Sequence, residues 1–144
     1  MELSLKLTGP QLEDLIHLGF NRGADKKFLR VEELKVGYAR VRIPFRTSML
    51  RPGGVVSGPA LFTAADTAMY VLVMGHIGPE LMAVTSDFNI HFLSKAKQGD
   101  VIAEAKLLKL GRRLAVMEVA LFTSAAPDQL VAHVTGSYAL PEKK

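Results

Sequence analysis

Apolar and polar positions follow two rhythms along this chain, and each change of rhythm marks an element. Residues 8–19 repeat at helical spacing, with Leu12, Leu15, Ile16 and Leu18 forming a rough stripe. Thr8 is placed to cap this short helix. Pro10 fits its first turn, where a missing amide costs nothing. Residues 34–46 change to period two, with Ala39, Val41, Ile43 and Phe45 on one side and Tyr38, Arg40 and Arg42 on the other. That alternation predicts a strand with one buried face. A break follows at Pro52-Gly53-Gly54. Residues 58–75 are then rich in Ala and Met and apolar nearly all round. Ser57 is the candidate N-cap of this helix, Pro59 sits in its first turn, and Gly75 and Gly78 end it. A helix without a polar face has to be buried.

The remainder reads as strands. Val84, Ser86, Phe88, Ile90 and Phe92 alternate with Thr85, Asp87, Asn89 and His91, so simple alternation puts Thr85 opposite Phe88 and Ile90. Residues 100–110 and 113–123 form two more strands around a tight turn near Gly111. Ala126-Pro127-Asp128 turns into a last strand over 129–140. The order is short helix, strand, buried helix, four strands. It predicts one α+β domain over residues 1–144 with its core at about 30–140. A curved antiparallel sheet wrapped around one long apolar central helix satisfies it.

Composition narrows the chemistry. The chain has no cysteine, so disulfides, thiolate zinc sites and a cysteine nucleophile are excluded. His17, His76, His91 and His133 show no metal-ligand spacing; no metal and no cofactor are expected. The net charge of +4 suits an anionic ligand. Its basic residues are dispersed and aromatics are only 7%, which argues against a nucleic-acid partner. Between Pro52 and Pro79 the only charged side chain is Asp66. Glycines and prolines at both ends leave about 16–18 residues for the helix, short of the ~20 that a membrane span needs. No membrane partner is expected. The first residues, MELSLKLTGPQLEDL, carry acids and no long apolar run, unlike a secretory signal. A cytoplasmic location is the expectation.

The motifs around the central helix carry a resemblance. Ser57-Gly58-Pro59 opens the helix, Leu61 follows, and Asp66-Thr67-Ala68 begins nine positions after Ser57. The strand Val84-Thr85-Ser86-Asp87-Phe88-Asn89-Ile90 comes next, then Lys95-Ala96-Lys97-Gln98-Gly99-Asp100. Gly111-Arg112-Arg113-Leu114-Ala115 and Val134-Thr135-Gly136-Ser137-Tyr138 complete the set. In order and spacing these resemble the hotdog-fold thioesterases of the phenylacetate-degradation (PaaI-like) type, over roughly residues 30–140. That family opens its central helix with His-Gly-Gly and places an acid nine positions after the His. Here the His position is Ser57, and Arg51 stands where many members carry an Asn. The resemblance implies a hotdog fold, an acyl-coenzyme A substrate and a homo-oligomer, a dimer or dimer of dimers, with shared sites. A non-catalytic acyl-coenzyme A-binding or regulatory hotdog protein is the alternative.

Thioester hydrolysis needs an oxyanion donor and a carboxylate that attacks or activates water. The Gly58 amide, at a helix start, is the candidate donor, although Ser57-Gly58-Pro59 also reads as a plain helix start. Asp66 is the candidate carboxylate, because an acid in an apolar helix is costly without a role or a partner. A structural acid paired with Arg51 or bonded to a neighbouring strand is the competing reading. The resemblance gives Thr85 a hydroxyl that orients water or the carboxylate; otherwise it is an ordinary β-branched strand residue. Phe62, Met69 and Tyr70 lie three or four residues from Asp66, on its helix face, as candidate acyl-pocket or core residues. Arg112, Arg113 and Lys95 are candidates for the phosphates of coenzyme A. Along one helix Gly58 and Asp66 are ~12 Å apart, too far to act on one carbonyl. Two antiparallel helices from two subunits bring them together.

Overall fold

The computed structural model of the chain describes residues 3–19, 28–80 and 82–142. Helix α1 (Gly9–Gly19) opens it. Thr8 and Gln11 cap its start reciprocally. Thr8 Oγ1 accepts from the Gln11 amide at 3.3 Å, and Gln11 Oε1 accepts from the Thr8 amide at 2.9 Å. Leu12 and Ile16 are buried, whereas Leu18 is 81% exposed; the stripe is narrower than the sequence pattern predicts.

Two strands precede the central helix where the pattern predicts one over 34–46. Strand β1 (Arg30–Lys35) turns through Val36-Gly37 into β2 (Tyr38–Ile43), with Gly37 at φ 79°. β1 reads Arg-Val-Glu-Glu-Leu-Lys, too charged to show an apolar rhythm. It lies at the sheet edge, where charge guards against unwanted pairing. In β2 the expected face holds, with Ala39, Val41 and Ile43 buried and Phe45 beyond its end.

Helix α2 (Gly58–Ile77) follows a single 3-10 turn at Thr47–Met49. Ser57 caps it, accepting from the Ala60 amide at 3.2 Å. The Gly78 amide closes it on the Met74 carbonyl. Strands β3 (Val84–Phe92), β4 (Val101–Leu110), β5 (Leu114–Thr123) and β6 (Ala132–Ala139) complete one antiparallel sheet, in the order β1-β2-β4-β5-β6-β3. The sheet wraps α2, whose Leu61, Ala64, Ala65, Ala68, Met69 and Leu72 are buried against the inward side chains of β2, β4, β5 and β6. Each large side chain so buried contributes about 2 kcal/mol. At 20 residues α2 is longer than the roughly 16–18 that its flanking glycines predict, since it runs through Gly75 to Ile77. It is long and apolar enough to cross a membrane by composition, yet most of it is buried inside this sheet. Burial alternates along β5, with Ala115, Met117, Val119 and Leu121 inward, whereas in β6 Gly136, Ser137 and Tyr138 are buried in succession.

A charged lattice covers the outer face of β1, β2 and β4. Arg42 bridges Glu32 and Asp100 at 2.7 and 2.9 Å; Arg40 bridges Glu32 and Glu104 at 3.0 and 2.9 Å. Asp100 also accepts the Phe45 amide at 2.7 Å. Partial burial raises the Asp100 pKa, but the Phe45 amide and Arg42 outweigh it, and the carboxyl lies below its ordinary value. Glu32 is lowered in the same way, with Arg42 and Arg40 overcoming its burial.

A carboxyl depressed by folding stabilises above its unfolded pKa, and the contribution is lost as pH falls through the folded value. Asp100→Asn is therefore expected to lower stability at pH 7 by about 1–2 kcal/mol. The difference from wild type should shrink as pH drops below about 4. Urea denaturation of both proteins from pH 7 to pH 2.5 measures it; a gap that does not change with pH would contradict the assignment.

Candidate active site

Asp66 is the only acid of α2, and the sheet supplies it with two hydroxyls. Thr85 Oγ1 donates to Asp66 Oδ1 at 2.7 Å. The Tyr138 hydroxyl lies 2.9 Å from the same oxygen and 3.1 Å from the Asp66 carbonyl. Oδ2 accepts no hydrogen bond from any described residue and is not sealed in the interior. The carboxylate thus has one occupied oxygen and one available oxygen.

Thr85 reaches Asp66 because of a β-bulge. In β3, Thr85 pairs with Tyr138 and Asp87 with Ser137, leaving Ser86 as an extra residue. The extra residue reverses the alternation. Thr85 therefore shares the helix-facing side with Phe88, and not the opposite side that unbroken alternation predicts. Paired residues on neighbouring antiparallel strands lie on one face, so Tyr138 arrives beside Thr85 under the helix.

The helix must lie close to the sheet for these bonds to form. A Cβ on Gly136 would sit 2.9 Å from the Asp87 carbonyl oxygen and 3.0 Å from Met69 Sδ. Only glycine permits this approach. Met69, fully buried, is accordingly a packing residue beneath Asp66.

The other candidates separate into groups. Phe62 is 43% exposed and stacks on Phe88 with centroids 3.9 Å apart. Tyr70 is half-buried, its ring 6.2 Å from that of Tyr138. Burial raises the Tyr70 pKa. Burial pushes the Tyr138 phenol well above the tyrosine range, and the Asp66 charge adds to the shift. Gly58 opens a groove of about 450 Å³ shared with Arg51, Leu61, Phe92 and Lys95. The Phe92 ring covers its α-carbon, 3.2 Å from where a Cβ would be. Neither Arg51 nor Lys95 forms a side-chain ion pair or hydrogen bond with a described residue. Arg51 is thus not the partner of Asp66.

Arg112 and Arg113 lie elsewhere. They line a cavity of about 310 Å³ at the far end of α2, with Lys6, His76 and Glu80, and Arg113 pairs with Glu142 at 2.7 Å. His76 is buried there. Its Nε2 accepts the Gly37 amide at 3.1 Å, and its Nδ1 lies 2.8 Å from the Leu72 carbonyl. Through these two contacts it ties α2 to the β1–β2 turn. Tyr138 is the site residue that sequence reasoning missed as a functional group. Its signal was present, since a tyrosine on the inward face of a central strand needs a partner for its hydroxyl.

The sequence profile of the thioesterase superfamily matches residues 53–126, just over half of the chain and the span holding both Gly58 and Asp66. The chain belongs to the thioesterase superfamily. Its fold is the hotdog fold of such enzymes. A protein of Silicibacter sp. TM1040, provisionally named a thioesterase, superimposes with a TM-score of 0.85 at 33% identity, over 96% of this chain and 94% of that one. A variant of the phenylacetic acid degradation protein PaaI from Thermus thermophilus gives 0.69 at 25% identity, over 83% of this chain and 99% of that one. Among curated relatives, a provisionally named esterase of Saccharolobus solfataricus is 29% identical over 94 residues, 65% of this chain and 62% of the relative. The match thus spans less than two thirds of that relative's length.

The tight contact at Gly136 gives a direct check on this thioesterase-superfamily site. Gly136→Ala is expected to lower unfolding stability by about 1–3 kcal/mol through overpacking, read from the urea midpoint. Stability unchanged from wild type would mean that Met69 yields freely and that helix-to-sheet spacing is not set here.

Proposed function

We propose that the chain is an acyl-coenzyme A thioesterase, cleaving a thioester to free acid and coenzyme A with Asp66 as the reacting carboxylate. The observation that carries this reading is the half-occupied carboxylate. A purely structural acid would be expected to saturate both oxygens; Asp66 has Oδ1 held by two hydroxyls and Oδ2 left open. Oδ2 either attacks the thioester carbonyl, expelling the thiolate and leaving an anhydride for water to open, or takes a proton from the water that adds. Both routes place negative charge on the carbonyl oxygen. The Gly58 amide, at the positive end of α2, is its proposed donor. Thr85 orients the carboxylate. Ser57, engaged as the helix cap, stands where the PaaI-like pattern has His.

The proposed site is shared by two copies of the chain. Gly58 and Asp66 lie on one helix, eight residues or ~12 Å apart. A two-fold axis that brings the Gly58 of one copy to the Asp66 of the other must pass near the midpoint between them, which is Phe62. Phe62 is the exposed aromatic of this helix. Beside it, β3 has a free edge, and Met82, Val84, Phe92 and Leu93 are exposed, a surface that favours burial against a second copy. Arg51 and Lys95 then offer cations to coenzyme A phosphates at the groove. Within one chain, Arg112 and Arg113 lie near the end of α2, ~27 Å along the helix from Gly58; from an antiparallel second copy that axial distance falls to ~15 Å.

Asp66→Asn is expected to fold normally and lose at least ~100-fold in turnover with a panel of acyl-coenzyme A esters. Near-normal turnover would remove Asp66 from the chemistry. Saturable binding without hydrolysis by the wild type would favour a non-catalytic acyl-coenzyme A binder instead. For assembly, Phe62→Lys places two like charges at the proposed axis. Light scattering should show wild type as a dimer or larger and the variant as a folded, inactive monomer. An active monomer would refute the shared site.

A further inference from the structure

We infer that Tyr138 is the positioning residue of Asp66, holding Oδ1 from beneath so that Oδ2 alone is presented to the substrate; this rests on Asp66 being the reacting carboxylate. Three elements meet at this carboxylate, and within one chain they differ in burial. Asp66 comes from α2 and Thr85 from β3, an edge strand whose residues are largely exposed. Tyr138 comes from β6, paired on both sides with β5 and β3. It is only 3% exposed. Of the two hydroxyls, that of Tyr138 is therefore the one anchored in the interior.

The chemistry of a buried phenol makes the anchor directional. Its proton must go to an acceptor, because an unpaired buried hydroxyl is costly. Two acceptors lie within its reach, Asp66 Oδ1 at 2.9 Å and the Asp66 carbonyl oxygen at 3.1 Å. Both belong to one residue, so wherever the proton points, Tyr138 fixes Asp66. Burial keeps the phenol protonated, and it remains a donor wherever the enzyme would work. Thr85, which donates to the same Oδ1, completes a three-membered cluster with no cation in it. Among the described residues, the titratable neighbours on the helix-facing side are Tyr70 on α2 and Tyr138 on β6. β3 brings the uncharged Thr85, and the inward residues of β5 here, Ala115 and Met117, are apolar. The cluster thus aims the carboxylate with two hydroxyls on one oxygen.

A merely structural tie between β6 and α2 would predict a different outcome on removal of the hydroxyl. Tyr138→Phe keeps the ring and deletes the donor. Two measurements are made on wild type and variant at neutral pH: kcat and KM with acyl-coenzyme A esters, and the carboxyl carbon-13 resonance of labelled aspartate without substrate. The Asp66 resonance is identified by its loss in Asp66→Asn. In Tyr138→Phe that resonance should shift, because Oδ1 loses a donor. Turnover should fall about tenfold with KM within about twofold, as expected of a misaligned group. Thr85→Val, acting on the same oxygen, should shift the resonance in the same direction and also lower turnover.

An unmoved Asp66 resonance with unchanged kcat in a folded Tyr138→Phe protein would reduce Tyr138 to a packing strut and overturn the proposal. If that variant does not fold, 3-fluorotyrosine at position 138 takes its place. It retains the contacts and donates more strongly, so the resonance should move opposite to its shift in Thr85→Val; no movement overturns the proposal. An active Asp66→Asn protein would instead remove the catalytic reading, on which this inference depends, and that result is separate from the resonance.

Discussion

Burial of α2 is the constraint on which everything else depends. Twenty residues with one acid and no lysine or arginine cannot stand in water as a surface helix. The sheet answers by curling around them, with the inward positions of β2, β4, β5 and β6 given over to Ala, Val, Met and Leu. Small residues on both sides set how near the helix comes, and at Gly136 beneath Met69 there is no room for a Cβ.

That closeness is what turns one carboxylate into a chemical group. An acid in an apolar helix has a high desolvation cost unless donors reach it. The sheet delivers two hydroxyls and no cation to Asp66, both on the same oxygen. An arginine in their place would have forked onto both oxygens and neutralised them. The charged lattice of Arg40, Arg42, Glu32, Glu104 and Asp100 lies instead on the outer face. Fold stability and site chemistry thus use separate sets of polar residues on opposite faces of the sheet.

The proposed two-fold assembly follows from the same helix. Because Gly58 and Asp66 are fixed to one rigid rod, neither rotamers nor loop motion can close the gap between them. The remaining freedom is a second rod, and the exposed side chains of Phe62, Val84, Phe92 and Leu93 lie on the side where one would rest. A lone copy would leave an apolar strand edge open to water, with the aggregation hazard that such edges carry.

How much of this was legible differs from element to element. The apolar run from Gly58, its Ser57 cap, and the strands β4, β5 and β6 follow from periodicity, because burial on one face or on all faces writes itself into residue choice. Asp66 stood out for the complementary reason, as the one charge in that run. β1 was hidden, since an exposed edge strand is selected for charge and carries no apolar rhythm. The face of Thr85 was misjudged because a single extra residue, Ser86, changes the side of every position before it, and a bulge follows from strand pairing rather than from local sequence. Tyr138 was visible as a residue but not as a partner of Asp66, seventy-two positions away. Sequence by itself determined which segments had to be buried and which side chain was costly to bury. Only the tertiary structure decided which groups meet that side chain, because register between strands and the distance from helix to sheet depend on the packing of the whole core.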